Sequence, residues 1–252
     1  MIKILAIGNS FSQDATTYLY DIAKADNLEI KVVNLYIGGC SLKTHWSNIE
    51  SDAANYDYEL NGHNTGRKIS IKEALQEEAW DYVTLQQVSS ESGLLDTFYP
   101  YITKVSNYVK EFVPQAKQLI HQTWAYEIDS DHSAFVNYDC DQMKMYDALT
   151  NAYQKAAEEL SLSIIPCGTV IQTLRKAPLF DYANGGNSLC RDGFHMSLDY
   201  GRYATGATWY EFILKKNILN NSFVPPAVDG KHVGSEEIKL IKDTIHEVIS
   251  KL

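Results

Sequence analysis

Basic residues are scarce in this chain: 22 Lys and Arg stand against 32 Asp and Glu, a formal net charge of −10. With no basic stripe along the sequence, nucleic acid is excluded as a partner, because phosphate binding needs clustered Lys and Arg. Cysteine is sparse as well. Cys40, Cys140, Cys167 and Cys190 are scattered, with no Cys-x-x-Cys pair and no zinc-like spacing. They read as small buried hydrophobes in a reducing compartment, the even count leaving a disulfide open. No His-x₃-His or His-Glu-x-x-His spacing occurs, so no metal is expected. His45, His63, His121, His132, His232 and His246 read as surface or core residues, with His45 close enough to a glycine pair to border a pocket. No apolar run approaches a membrane span, and a first strand beginning at residue 2 leaves no room for a signal peptide. The expectation is a cytoplasmic protein that does not meet the membrane. Repeats, low-complexity tracts and linkers are also missing, which predicts one domain over residues 1–252. A chain of that length buries a core without disulfides.

What is present is an alternation of short apolar runs and longer amphipathic stretches. Residues 2–7, 29–37, 81–86, 117–123 and 163–166 read as strands. Helices are predicted over 14–26, 41–49, 71–78, 98–113, 143–160, 168–176, 200–215 and 235–252, the last capped by Ser235. The polar stretch 51–70, with its Asn61-Gly62 pair, reads as a small hairpin excursion. The fold class is α/β: a three-layer α/β/α arrangement around a central parallel five-stranded sheet, flavodoxin-like. In such sheets ligands bind beyond the carboxyl ends of the strands. Three successive strand ends carry Ser10, Gly38-Gly39 and Gln86-Gln87-Val88-Ser89.

Two segments at opposite ends carry the chemistry: Gly8-Asn9-Ser10-Phe11-Ser12 and Asp192-Gly193-Phe194-His195. Together they supply a nucleophile, a base and an orienting acid. A serine at a helix start is ordinarily a cap. Here Gly8 permits a close approach and Asp14 is available to cap instead, which frees Ser10. Ser12, further into the turn, is the competing nucleophile. Two readings stay open for Trp124 and Tyr126 after the fourth strand: a stacking wall for a sugar ring or aromatic ester, or packing under a loop. The same holds for residues 180–189, a cover for the site or a surface connection.

These segments resemble the SGNH or GDSL hydrolase superfamily, and within it an uncharacterised bacterial branch of the DUF4886 type. Gly8-Asn9-Ser10-Phe11-Ser12 resembles the first block, Gly-Asp-Ser-x-Ser, with Asn9 replacing the aspartate. Ile37-Gly38-Gly39-Cys40-Ser41 resembles the second block, and Asp192-Gly193-Phe194-His195 the last, Asp-x-x-His. The third block, usually Gly-x-Asn-Asp, is replaced by Thr84-Leu85-Gln86-Gln87-Val88-Ser89. The resemblance implies the SGNH fold and an acyl-enzyme on Ser10, with His195 as base and Asp192 as orienting acid. The oxyanion would be held by the N–H groups of Ser10 and Gly39 and by the Gln87 amide, placed ahead of Gln86. Asn9, Trp124 and Tyr126 are its expected substrate contacts, with no cofactor and no metal. The implied substrate is a small-molecule ester, a short acyl group such as acetyl on a carbohydrate; a thioesterase or lysophospholipase shares the mechanism. From another class, a flavodoxin-like module would cradle a phosphate in the Gly8–Ser12 loop. A degenerate SGNH fold kept for binding is the third reading.

Overall fold

Runs of aliphatic and β-branched residues buried on both faces make the sheet of this computed structural model, which describes all 252 residues. The strands are β1 (Ile2–Gly8), β2 (Ile30–Tyr36), β3 (Tyr56–Leu60), β4 (His63–Ile69), β5 (Tyr82–Leu85), β6 (Lys117–His121) and β7 (Ser163–Ile165). The helices are α1 (Ser10–Thr16), α2 (Leu19–Ala25), α3 (Leu42–Glu50), α4 (Ile71–Glu77), α5 (Tyr101–Phe112), α6 (Gln142–Leu160), α7 (Cys167–Leu174), α8 (Tyr200–Leu214) and α9 (Ser235–Ser250). β1 lies at the sheet's middle, and its residues Ile4 to Ile7 are at most 1% exposed. One helical layer comprises α1, α2, α7, α8 and α9, and α3, α4 and α5 pack together in the other.

The sheet has seven strands rather than five, in the order β4-β3-β2-β1-β5-β6-β7. Its five expected strands are all parallel. The correction is the 51–70 segment, which joins the sheet by pairing β3 antiparallel with β2. Tyr56 and Tyr58, two residues apart, are both buried, so one face of the hairpin belongs to the core. Asn61 and Gly62 make the turn at positive φ (51° and 84°). The Asn61 N–H donates to the Val32 carbonyl (2.8 Å), and its Oδ1 accepts from the Val32 N–H (2.9 Å). The free edge of β4 is exposed and carries Arg67 and Lys68, which disfavour further pairing.

The expected 14–26 helix is two helices, and the first starts four residues earlier, with Asn9 as its cap. Asp14 does not cap. It is fully buried, paired with Arg191 (3.0 Å) and Arg202 (2.8 Å). Ser235 does not cap α9 either. It is the first helical residue, and Glu236 and Glu237 supply the favourable negative charge of the first turn. All four cysteines are free. No helix is long and apolar enough to cross a membrane.

Candidate active site

β1 hands the chain to α1 through a turn that only glycine permits. A Cβ on Gly8 would stand 2.0 Å from the Ser12 hydroxyl. That hydroxyl is buried, donates to Asn34 Oδ1 (2.6 Å) and accepts from the Asn9 N–H (3.1 Å). Ser12 is thus held inside, and Ser10 faces outward at the carboxyl edge of the sheet.

Ser10 Oγ lies 2.9 Å from His195 Nε2, and His195 Nδ1 lies 2.7 Å from Asp192 Oδ2. The carboxylate accepts at Nδ1, so Nδ1 carries the ring proton and Nε2 turns its lone pair to the serine hydroxyl. The other oxygen of Asp192 accepts the N–H groups of His195 (2.8 Å) and Phe194 (3.3 Å). Burial alone would raise Asp192. The hydrogen bonds from the His195 ring and these N–H groups outweigh it and hold the carboxyl below the usual carboxylate range.

The 192–195 turn is fastened from several sides. Gly193 adopts φ +82°, and a side chain there would press on Ser130 at 3.0 Å. The Glu127 N–H donates to the Gly193 carbonyl (2.7 Å), and the Met196 N–H to Asp14 (2.9 Å). The Trp124 indole donates to the Phe194 carbonyl (2.8 Å) while stacking on Phe11 at 4.3 Å.

A cleft of about 260 Å³ opens beside Ser10. Its walls come from Tyr36, Gly38 and Gly39 after β2, from Val88, Ser89 and Ser90 after β5, and from His132, Phe194 and His195. Gly39 sits at φ +63°. No turn, cap or side-chain hydrogen bond uses the N–H of Ser10 or of Gly39.

Several expected residues are placed otherwise. Gln87 is fully buried: its Oε1 accepts from Leu42 and Val88, and its Nε2 donates to the Thr97 carbonyl and hydroxyl. It is not a free donor for an oxyanion. Gln86, also buried, accepts from His121 Nδ1 (2.8 Å) and donates to Asn9 Oδ1 (2.6 Å). Asn9 is 1% exposed. Its side chain accepts from the Phe11 N–H (3.0 Å) and donates to the Cys40 carbonyl (3.0 Å), so it ties the serine turn to the Gly39 turn at the floor of the cleft. Trp124 and Tyr126 are fully buried behind the cleft. Tyr126 shares a hydrogen bond with Ser89 Oγ (3.0 Å), and burial raises its phenol. His45 does not border the cleft: it is buried behind Cys40, 2.8 Å from the Tyr56 hydroxyl, and burial pushes it down to about 3. The 180–189 loop borders a separate polar cavity of about 420 Å³ through Tyr182 and Ser188. No three His, Cys, Asp or Glu side chains are grouped to hold a metal ion.

Tyr36, Val88, Ser90, His132 and Phe194 complete the cleft without being expected as site residues; His132 in particular reads in the sequence as a surface or core histidine. Tyr36 follows from the strand-end rule once β2 is seen to end there, Val88 lies in a strand-end segment already marked, and Phe194 stands between Asp192 and His195. His132 arrives on a remote irregular segment, and no sequence signal marks it.

A largely parallel sheet with helices on both faces, and a Ser-His-Asp arrangement at its carboxyl edge, defines the class: an SGNH-hydrolase fold. The chain belongs to the family described as Domain of unknown function (DUF4886), whose sequence model matches residues 3–246. It is similar to a DUF4886 family protein from Bacteroides uniformis of known crystal structure, with 36% identity and a TM-score of 0.87 over 99% of this chain and 95% of that one. An acetylxylan esterase from Geobacillus stearothermophilus shares 14% identity, TM-score 0.52, over 90% of this chain and 97% of that one. The acetyl xylan esterase AlAXEase shares 16%, TM-score 0.54, over 81% and 94%. At these identities the two esterases show the fold alone. No curated protein matches the chain.

Proposed function

We propose that this protein is a serine esterase that removes a short acyl group, such as acetyl, from a carbohydrate. The observation that carries the reading is the unbroken contact from Asp192 through His195 to Ser10, at 2.7 and 2.9 Å. In this mechanism His195 Nε2 takes the Ser10 proton as Oγ attacks the acyl carbonyl carbon. The N–H groups of Ser10 and Gly39 receive the oxyanion of the tetrahedral intermediate. His195 then passes the proton to the departing alcohol, leaving an acyl-Ser10 ester. Water, deprotonated by the same imidazole, attacks that ester and releases the acid. Asp192 holds the ring in the required tautomer and stabilises it while charged.

A cleft of about 260 Å³ fits a small acyl group better than a long chain. The acetylxylan esterases of the same fold support a sugar ester as substrate. The test is hydrolysis of p-nitrophenyl acetate and butyrate by the wild type and Ser10→Ala in parallel. Ser10→Ala is expected to fold normally and to lose all turnover above background. Equal activity in both would overturn the assignment of Ser10. Failure of a fluorophosphonate to label wild-type Ser10 would overturn the hydrolase reading itself.

A further inference from the structure

The third block leaves a gap in the cleft. Both glutamine amides that replace its usual asparagine are bound inside the protein, Gln86 to Asn9 and His121, Gln87 to Leu42, Val88 and Thr97. An esterase built this way has two backbone donors at Ser10 and Gly39 and no side-chain amide donor from that block. The chain places another polar side chain, His132, in the same cleft, against Phe194 beside His195.

We propose that His132 is a substrate-contacting residue whose Nε2–H donates to the oxygen that becomes negative in the reaction, in place of the missing asparagine amide. This inference rests on the esterase reading. The tautomer is the first argument. His132 Nδ1 accepts the Ala134 N–H (3.1 Å) where the ring caps its own short helical turn, so the proton of the neutral ring sits on Nε2. The second is position: His132 lines the same cleft as Ser10, Gly39 and His195. The third is rigidity. The imidazole packs edge-on against Phe194 at 4.7 Å and at a tilt against Tyr126 at 4.7 Å. Those neighbours are themselves fixed, Phe194 through its carbonyl to Trp124 and Tyr126 through its hydroxyl to Ser89. A donor held this firmly meets developing charge without first reorganising. Burial and then the nearby His195 lower its affinity for a second proton, which favours the neutral ring.

Three variants test this. His132→Phe keeps a ring against Phe194 and Tyr126 and removes both nitrogens. His132→Gln puts an amide N–H close to the Nε2 position. His132→Ala removes ring and donor together. All are compared with the wild type by kcat/KM on p-nitrophenyl acetate, by thermal midpoint and by the rate of fluorophosphonate labelling at Ser10. His132→Phe and His132→Ala are expected to lose about 10- to 100-fold in kcat/KM, carried by kcat, with midpoints near wild type. His132→Gln is expected to recover most of that loss. Phe within threefold of wild type overturns the proposal, and so does Gln as poor as Phe, which would mark the ring as packing alone. Should the midpoints of Phe and Ala fall, the Gln-to-wild-type ratio decides. Wild-type protein that neither hydrolyses the ester nor labels at Ser10 removes the esterase reading, and this proposal falls with it.

Discussion

Asn9 shows what one atom can decide. The aspartate usual in SGNH first blocks accepts hydrogen bonds only, whereas this cleft needs a residue that both accepts and donates. Asn9 Oδ1 takes the N–H of Phe11 and of the Gln86 amide, and its Nδ2 donates to the Cys40 carbonyl. His121, Gln86, Asn9 and Cys40 thereby form a chain of three hydrogen bonds ending at the residue after Gly39. Asn9→Asp would set a carboxylate against a buried carbonyl with no proton between them. A loss of about 1–3 kcal/mol is expected, the penalty of an unsatisfied buried polar group. Urea unfolding of the two proteins checks it, and an unchanged midpoint would show that the turn does not depend on that donor. The same chain, with the contacts of Gln87, explains why neither glutamine amide is free to meet an oxyanion. Residue type and spacing brought Gln86 and Gln87 to the right strand end, but nothing in the sequence tells which way an amide turns. Both turn inward, Gln86 to Asn9 and His121, and Gln87 to the start of α3 at Leu42 and the turn at Thr97.

The elements were legible to the extent that burial leaves a pattern. β1, β2 and β5 are largely buried in a parallel sheet and β6 and β7 are buried toward their carboxyl ends, so apolar runs such as Ile4 to Ile7 announce them. The Ser10 and His195 segments could be paired because the first ends such a strand and the second repeats a known block. The hairpin of β3 and β4 was visible as a turn signal at Asn61-Gly62, but its union with β2 was not. One of its strands is exposed along nearly all its length, and pairing partners are set by tertiary contacts. The break between α1 and α2 and the buried ion pairs of Asp14 lie beyond local pattern for the same reason. Strand junctions nevertheless carry readable charge. Glu78, just past α4, meets Lys3 of β1 at 2.6 Å and Lys31 of β2 at 2.8 Å, and those two ammonium groups pull its carboxyl down to about 2. A depressed carboxyl contributes stability that is fully present above its ordinary 4.5 and is lost as pH falls toward 2. The side chain keeps 24% of its surface in solvent, so screening holds the contribution to about 1 kcal/mol. Glu78→Gln is expected to lower the unfolding free energy from urea titration by that amount at pH 7 and to differ less from wild type at pH 3.5. A gap that is constant with pH would mean that charge pairing is not what Glu78 supplies.

At the scale of the whole molecule, the site and the core share their neutral histidines, and this predicts how the protein fails in acid. His45 sits behind Cys40 and His121 under Gln86, both fully buried, and burial pushes each from the ordinary 6.5 down to about 3. Neither meets a carboxylate: His45 faces Tyr56 and Cys40, and His121 faces Gln86 and the rings of Trp124 and Trp209. Between these two pH values the unfolded chain binds protons that the folded one refuses, so stability drops as pH falls through that window. At pH 5 each ring costs roughly 2 kcal/mol, and the pair roughly 4 kcal/mol, from 1.4 kcal/mol per pH unit and group. That is a large share of a domain stability of about 5–15 kcal/mol. The urea midpoint is therefore expected to fall steeply from pH 6.5 to 5, in contrast with the Glu78 pair, whose loss begins only below 4.5. His45→Asn, which keeps a polar partner for Tyr56 and removes one titrating ring, should make the slope shallower while lowering the midpoint at pH 7. A midpoint flat from pH 7 to 5 would mean that these rings find protons in the folded state.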